Sequence, residues 1–110
     1  MEYIITPLPA PRMTRKDKWA KRPCVVKYFE FRNECRRLGM TLNNGAHITF
    51  VLPIPNRPKK FQRQGMPHQQ KPDLDNLIKS VLDALFDDDS HIYDLSAKKI
   101  WGHVGKIIIE

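Results

Sequence analysis

The chain has 110 residues, 41% of them apolar, and its nineteen Lys or Arg against twelve Asp or Glu give a formal net charge of +7. That length fits one domain (1–110) around one modest core, and that apolar content excludes a chain disordered throughout. No apolar run approaches the ~20 residues of a spanning helix, and the start has no basic-then-apolar leader, so an intracellular protein away from membranes is expected. The charge is unevenly spread: residues 1–71 hold fifteen Lys or Arg and four acids, residues 72–110 four and eight. A basic body points to a polyanionic partner, nucleic acid first.

In chain order, "EYIIT" (2–6) alternates and is β-rich, which predicts an opening strand. "PLPAPRMTRKDKWAKRP" (7–23) carries four prolines and no period, and is expected as a basic loop. From Cys24 to Leu38, Tyr28, Phe31, Cys35 and Leu38 recur at helical spacing, with Gly39 suited to a left-handed cap. Cys24 and Cys35 would then stand ~16 Å apart on one helix, beyond disulfide reach. "AHITFVLPIP" (46–55) predicts a long strand whose Ile48, Phe50 and Leu52 face a core. Residues 56–71 form a second basic loop, long for so small a domain.

Leu74, Leu77, Ile78, Val81, Leu82, Leu85 and Phe86 then trace one apolar stripe of a helix. Two closing strands are expected at 91–101 and 106–110. The order β-α-β-α-β-β predicts an α+β domain, two helices against a small mixed sheet of about four strands.

The acids gather around that second helix. Neighbours two apart on a helix point ~200° away from each other, so Asp73 and Asp75 cannot converge inside it. Pro72 keeps Lys71 extended and starts the helix at or after itself. With Asp73 at the N-cap, its carboxylate can turn toward that of Asp75, and Lys79 lies one turn on. Caps, dipole and turn chemistry explain such acids one at a time, "DDDS" (87–90) included. Together they match the oxygen ligands and water that Mg²⁺ takes, and acids within basic surface suit phosphodiester hydrolysis.

"DLDNLIKSVLDAL" followed by "DDSHI", with the opening "PLPAPRMTRKDKW", resembles the RusA family of Holliday junction resolvases. These are crossover-junction endodeoxyribonucleases of bacteria and their prophages. The resemblance spans nearly the whole chain. It implies a RusA-like fold and a bacterial or phage-infected cytoplasm. The implied activity is Mg²⁺-dependent (Mn²⁺ as the alternative) cutting of branched, four-way DNA in recombination and repair, by a homodimer. Asp73, Asp75 and Asp89 become metal-binding and catalytic, Asp88 a supporting acid, and Lys79 a catalytic lysine. The connection from helix to "DDS" is shorter here than in many members, so Asp87 or Asp88 stands as an alternative third ligand.

DNA contacts are expected from Arg12, Arg15, Lys16, Lys18 and Trp19 in the first basic loop. In the second they are expected from Lys59, Lys60, Arg63 and Lys71, where Phe61 or Met66 can act as a wedge. Two rival readings are a catalytically inactive junction-binding protein and a metal-dependent nuclease for flaps or RNA.

Overall fold

The long apolar strand of the sequence becomes one of two inner strands of the sheet, and both helices add side chains to the apolar cluster on its face. The computed structural model describes residues 1–11 and 23–110. Its elements are β1 (Glu2–Tyr3), α1 (Pro23–Arg37), β2 (Ala46–Pro53), α2 (Leu74–Leu85), β3 (Leu95–Gly102) and β4 (Lys106–Ile109). The four strands form one sheet in the order β1-β4-β2-β3. β2 runs parallel to β3, from Ala46↔Leu95 to Pro53↔Gly102, and antiparallel to β4. The α+β expectation, with a mixed four-stranded sheet, is met.

Strand side chains alternate between faces, so Ile48, Phe50 and Leu52 turn together toward the helices. They join Leu77, Val81 and Ala84 of α2, Phe31 and Cys35 of α1, and Ile107 and Ile109 of β4 in one apolar cluster. Ile48, Phe50, Leu77, Val81 and Ile107 are wholly buried, each contributing about 1.5–3 kcal/mol through burial. The three positions on β2 are therefore core. Polar contacts fix the two helices against each other: the Tyr28 hydroxyl donates to Asp83 (2.9 Å) and Arg36 Nε to the Ala84 carbonyl (2.8 Å). Gly39, just past α1, has φ +67°, the left-handed conformation expected there. Cys24 and Cys35 are both free thiols, the first exposed and the second buried.

Three expected boundaries shift. The opening strand pairs only through Glu2↔Ile108 and Tyr3↔Ile107, so it ends at Tyr3 and not at residue 6. β2 stops at Pro53, two residues short, and β3 begins at Leu95 instead of residue 91. The Asn44 side chain is responsible for the last shift. Its oxygen accepts from the amides of Tyr93 and Asp94, and its nitrogen donates to the His91 carbonyl. These bonds hold 91–94 as a turn beside the first residues of β2 and β3.

The basic segment 56–71 lies as a strap along the outer edge of β3. Gly65 donates to the Trp101 carbonyl (2.8 Å), Trp101 to Met66 (2.9 Å), and His68 to Lys99 (3.1 Å). The strap covers unpaired strand groups that would otherwise template association. Its anchor is His68, only 5% exposed, whose ring lies 4.2 Å from that of Trp101. Burial, then the Lys99 charge, hold its imidazole below the usual range, and its buried Nδ1 has no partner among the described residues.

The folded chain thus prefers neutral His68, while the unfolded chain protonates near the ordinary value of about 6.5. Stability is complete above that value, declines as pH falls through it, and stops declining at the lower folded pKa. Hydrogen exchange should show protection of the Gly65 and Trp101 amides falling between about pH 7 and pH 5. In His68→Phe it should not change with pH over that range. Equal protection across the range in the wild type would contradict this account.

Candidate active site

The start of α2 is built by the chain immediately before it. Asp73 occupies the N-cap with φ −71° and ψ 144°, yet its side chain makes no capping bond. Its Oδ2 instead accepts from Lys71 Nζ at 2.8 Å. Asp75 is exposed in the first turn, and its Oδ1 accepts from the Asn76 amide at 3.0 Å. Lys71 has its pKa raised by the bond to Asp73, by the charge of Asp73, and further by that of Asp75. Both carboxylates therefore act on one cationic group. The favoured N-cap residue gives one oxygen to a cation and none to its own helix.

A lysine with no place in the sequence reading secures this geometry. Lys99 of β3 donates to the carbonyls of Gln70 (2.8 Å) and Pro72 (2.7 Å), tying the approach to Asp73 onto the sheet. Burial lowers its pKa, while the charge of Asp73 opposes that shift. The only sequence signal is its alternation with Ala97 and Trp101 on the helix-facing side of the strand. Lys99 is a positioning residue. If Asp73 holds a metal ion, Lys99→Met is expected to slow DNA cleavage about 10- to 100-fold, the usual effect of losing support behind a metal ligand. The variant should need more divalent ion for half-maximal rate, and Lys99→Arg should recover part of the loss. An unchanged metal requirement would show that Lys99 only stabilises the fold.

The downstream acids lie elsewhere. Asp87, Asp88 and Asp89 are all exposed. Asp88 Oδ1 accepts from the Ser90 amide at 2.9 Å, which holds its carboxyl below the usual range. Asp87 faces Arg36 at 3.7 Å, and the Asp89 carbonyl accepts from Ile92 at 2.9 Å. The twelve residues of α2 rise roughly 18 Å between this turn and Asp73.

Among the described residues, no three His, Cys, Asp or Glu side chains are placed to hold one metal ion. The expected meeting of Asp73 and Asp75 with Asp89 or Asp88 does not occur within one chain. The reason is topological. A crossover helix joining two parallel strands runs back against them, so its start lies at their carboxyl ends and its finish at their amino ends. Asp73 sits near Lys99 and Leu52, and the acidic turn sits near Asn44.

Lys79 is exposed one turn beyond Asp75, and no ion pair joins the two. Lys59, Lys60 and Arg63 are exposed on the strap, with Lys59 Nζ 6.0 Å from the centre of the Phe61 ring. Phe61 and Met66 are exposed as well. Arg12, Arg15, Lys16, Lys18 and Trp19 lie outside the described residues. His91 packs edge-on against Phe86, at 4.9 Å between ring centres.

Asp73 and Lys71 form a ridge between two clefts of about 500 Å³ each. One is lined by prolines and Leu52, the other by Gln69, Gln70, Leu74 and Lys99. Ligands in sheets with parallel strands favour the carboxyl ends of those strands, where this ridge stands. The donor set suits Mg²⁺, which takes hard oxygen ligands from one or two carboxylates and completes its shell with phosphate and water. The ammonium drawn to Asp73 shows that this position already attracts positive charge.

Two carboxylates at a helix start, with the exposed Lys71 and Lys79 close by in the chain, suit a site that handles phosphate. The chain belongs to the family described as Endodeoxyribonuclease RusA, whose model matches residues 11–110. Membership carries the activity of an endodeoxyribonuclease, and with it the binding of DNA. Neither the comparison with curated proteins nor that with solved structures gives a match.

Proposed function

We propose that this endonuclease is Mg²⁺-dependent, with Mn²⁺ able to substitute, and resolves four-way junctions by paired phosphodiester cuts as a homodimer. The observation that carries this reading is the N-cap Asp73, whose carboxylate leaves its helix uncapped and accepts a cationic group beside Asp75. Asp73 and Asp75 are the residues that would hold the ion. When bound, it supplies charge against a phosphate oxygen and lets water lose a proton near neutral pH. Lys71 exchanges Asp73 for the arriving phosphate. Lys79 offsets the negative charge that grows on the phosphate oxygens in the transition state. Lys59, Lys60 and Arg63, with Arg12, Arg15, Lys16 and Lys18, hold the junction arms through salt-sensitive contacts, and Trp19 stacks on an unpaired base.

A junction offers two symmetric strands to cut, and a two-fold dimer supplies two matching sites. The dimer also answers the separation of the acids: Asp89 of one copy, with Asp88 beside it, would complete the set begun by Asp73 and Asp75 of the other. The proposed setting is recombination and repair in the cytoplasm of a bacterial or phage-infected cell, with a prophage as the source of the enzyme.

Cleavage of a synthetic four-way junction, a flap, a plain duplex and RNA, with Mg²⁺, Mn²⁺ or EDTA, tests the reading. Symmetric paired cuts in the junction are expected with metal alone, and the other substrates should be cut at least about tenfold more slowly. Binding without cutting under every condition would mean an inactive junction-binding protein. Faster cutting of flaps or RNA would assign a different substrate.

A further inference from the structure

We propose that the proline-lined cleft beside Asp73 is a nucleotide subsite that takes one unstacked base of the strand being cut. This inference rests on the nuclease reading and adds to it a residue-level determinant of where the strand is held. Pro7, Pro9 and Pro72 with Leu52 make the lining mainly apolar, and Asn76, Lys71 and Asp73 supply its polar groups. At about 500 Å³ the cleft has room for a base and part of its sugar.

Three features point to a base as the occupant. Apolar walls suit the flat faces of a base drawn out of its stack. The half-buried Asn76 carboxamide makes no hydrogen bond to another described residue, and it offers a donor and an acceptor to a base edge. Lys71, on the same rim, is the cation that a neighbouring phosphate would meet. A base in the cleft therefore brings the adjoining phosphate onto the ridge of Asp73 and Lys71. The Ala10 amide donates to the Asn76 carbonyl at 3.3 Å, which links the proline segment to α2 on that side of the cleft.

The test uses junctions carrying 2-aminopurine at each nucleotide flanking the cut, bound by the full chain in EDTA so that no cleavage intervenes. One position should change its fluorescence on binding. Ala10→Trp, which fills the cleft, should abolish that change while junction binding by anisotropy persists. Ala10→Leu, a smaller plug, should reduce it if the tryptophan variant does not fold.

In a second arm, an abasic site at the same nucleotide should slow metal-supported cleavage about 5- to 150-fold, the value of one lost base contact. It should have no further effect in the plugged variant. No responsive position, or a response that survives both plugs, would overturn the subsite while leaving the nuclease reading intact. Failure of the wild type to cut an unmodified junction would instead remove the nuclease reading, and the subsite with it.

Discussion

Asp75→Asn is expected to slow single-turnover junction cleavage by at least about 10³-fold, with binding retained or tightened. The substitution keeps the shape of the side chain and removes one of the two charges proposed to hold the ion. It leaves the first turn of α2 intact, because an Asn oxygen can still accept from the Asn76 amide. Binding should not weaken, since a negative group facing phosphate is lost. Asp73→Asn should act in the same direction and also weaken the hold on Lys71, whose bond would lose its opposite charge. The double variant should be little worse than either single one, because the two carboxylates act as a unit. Rapid-quench rates at saturating enzyme separate chemistry from binding. A rate near that of the wild type for either single variant would remove these carboxylates from the chemistry.

The second large effect concerns the acid at the other end of α2. If each site takes Asp73 and Asp75 from one chain and Asp89 from its partner, the Asp75→Asn and Asp89→Asn homodimers are both inactive. A mixed dimer is not: one of its two sites has both substitutions, and the other has none. Co-expressed chains should therefore recover about a quarter of the wild-type site concentration, and should nick junctions singly instead of in pairs. If the third acid served its own chain, every site in every mixture would carry a lesion and no activity would return. Nicking by the mixture, measured against each homodimer alone, distinguishes the two arrangements.

Much of this molecule was legible in the residues because local rules and tertiary packing agree. Pro72 and the apolar spacing from Leu74 to Leu85 placed α2 correctly, and the run around Phe50 identified one of the two inner strands. The N-cap position of Asp73 was also legible, although its carboxylate faces Lys71 and does not close the helix. Strand boundaries failed where a single side chain intervened, as Asn44 does at residues 91–94. Propensity cannot anticipate a side chain contributed from half the chain away.

That Asp89 stands apart from Asp73 and Asp75 within one chain was not legible, for a different reason. The spacing along the sequence left the direction of strand pairing open. Parallel pairing of β2 with β3 puts the end of α2 at the far side of the sheet from its start. Lys99 carries no motif, and its role appears only where β3 passes the carbonyls of Gln70 and Pro72. The strap was legible as a basic loop, but its register along β3 depends on His68 and Trp101 meeting in space.

The most direct test of the carboxylate pair is the position of the ion itself. Substoichiometric Mn²⁺ added to isotopically labelled protein broadens amide signals close to the bound ion. The signals of residues 73–76 should vanish first, and Asp75→Asn should abolish the effect at low Mn²⁺. Broadening centred on another part of the chain, or unaltered by Asp75→Asn, would contradict the account.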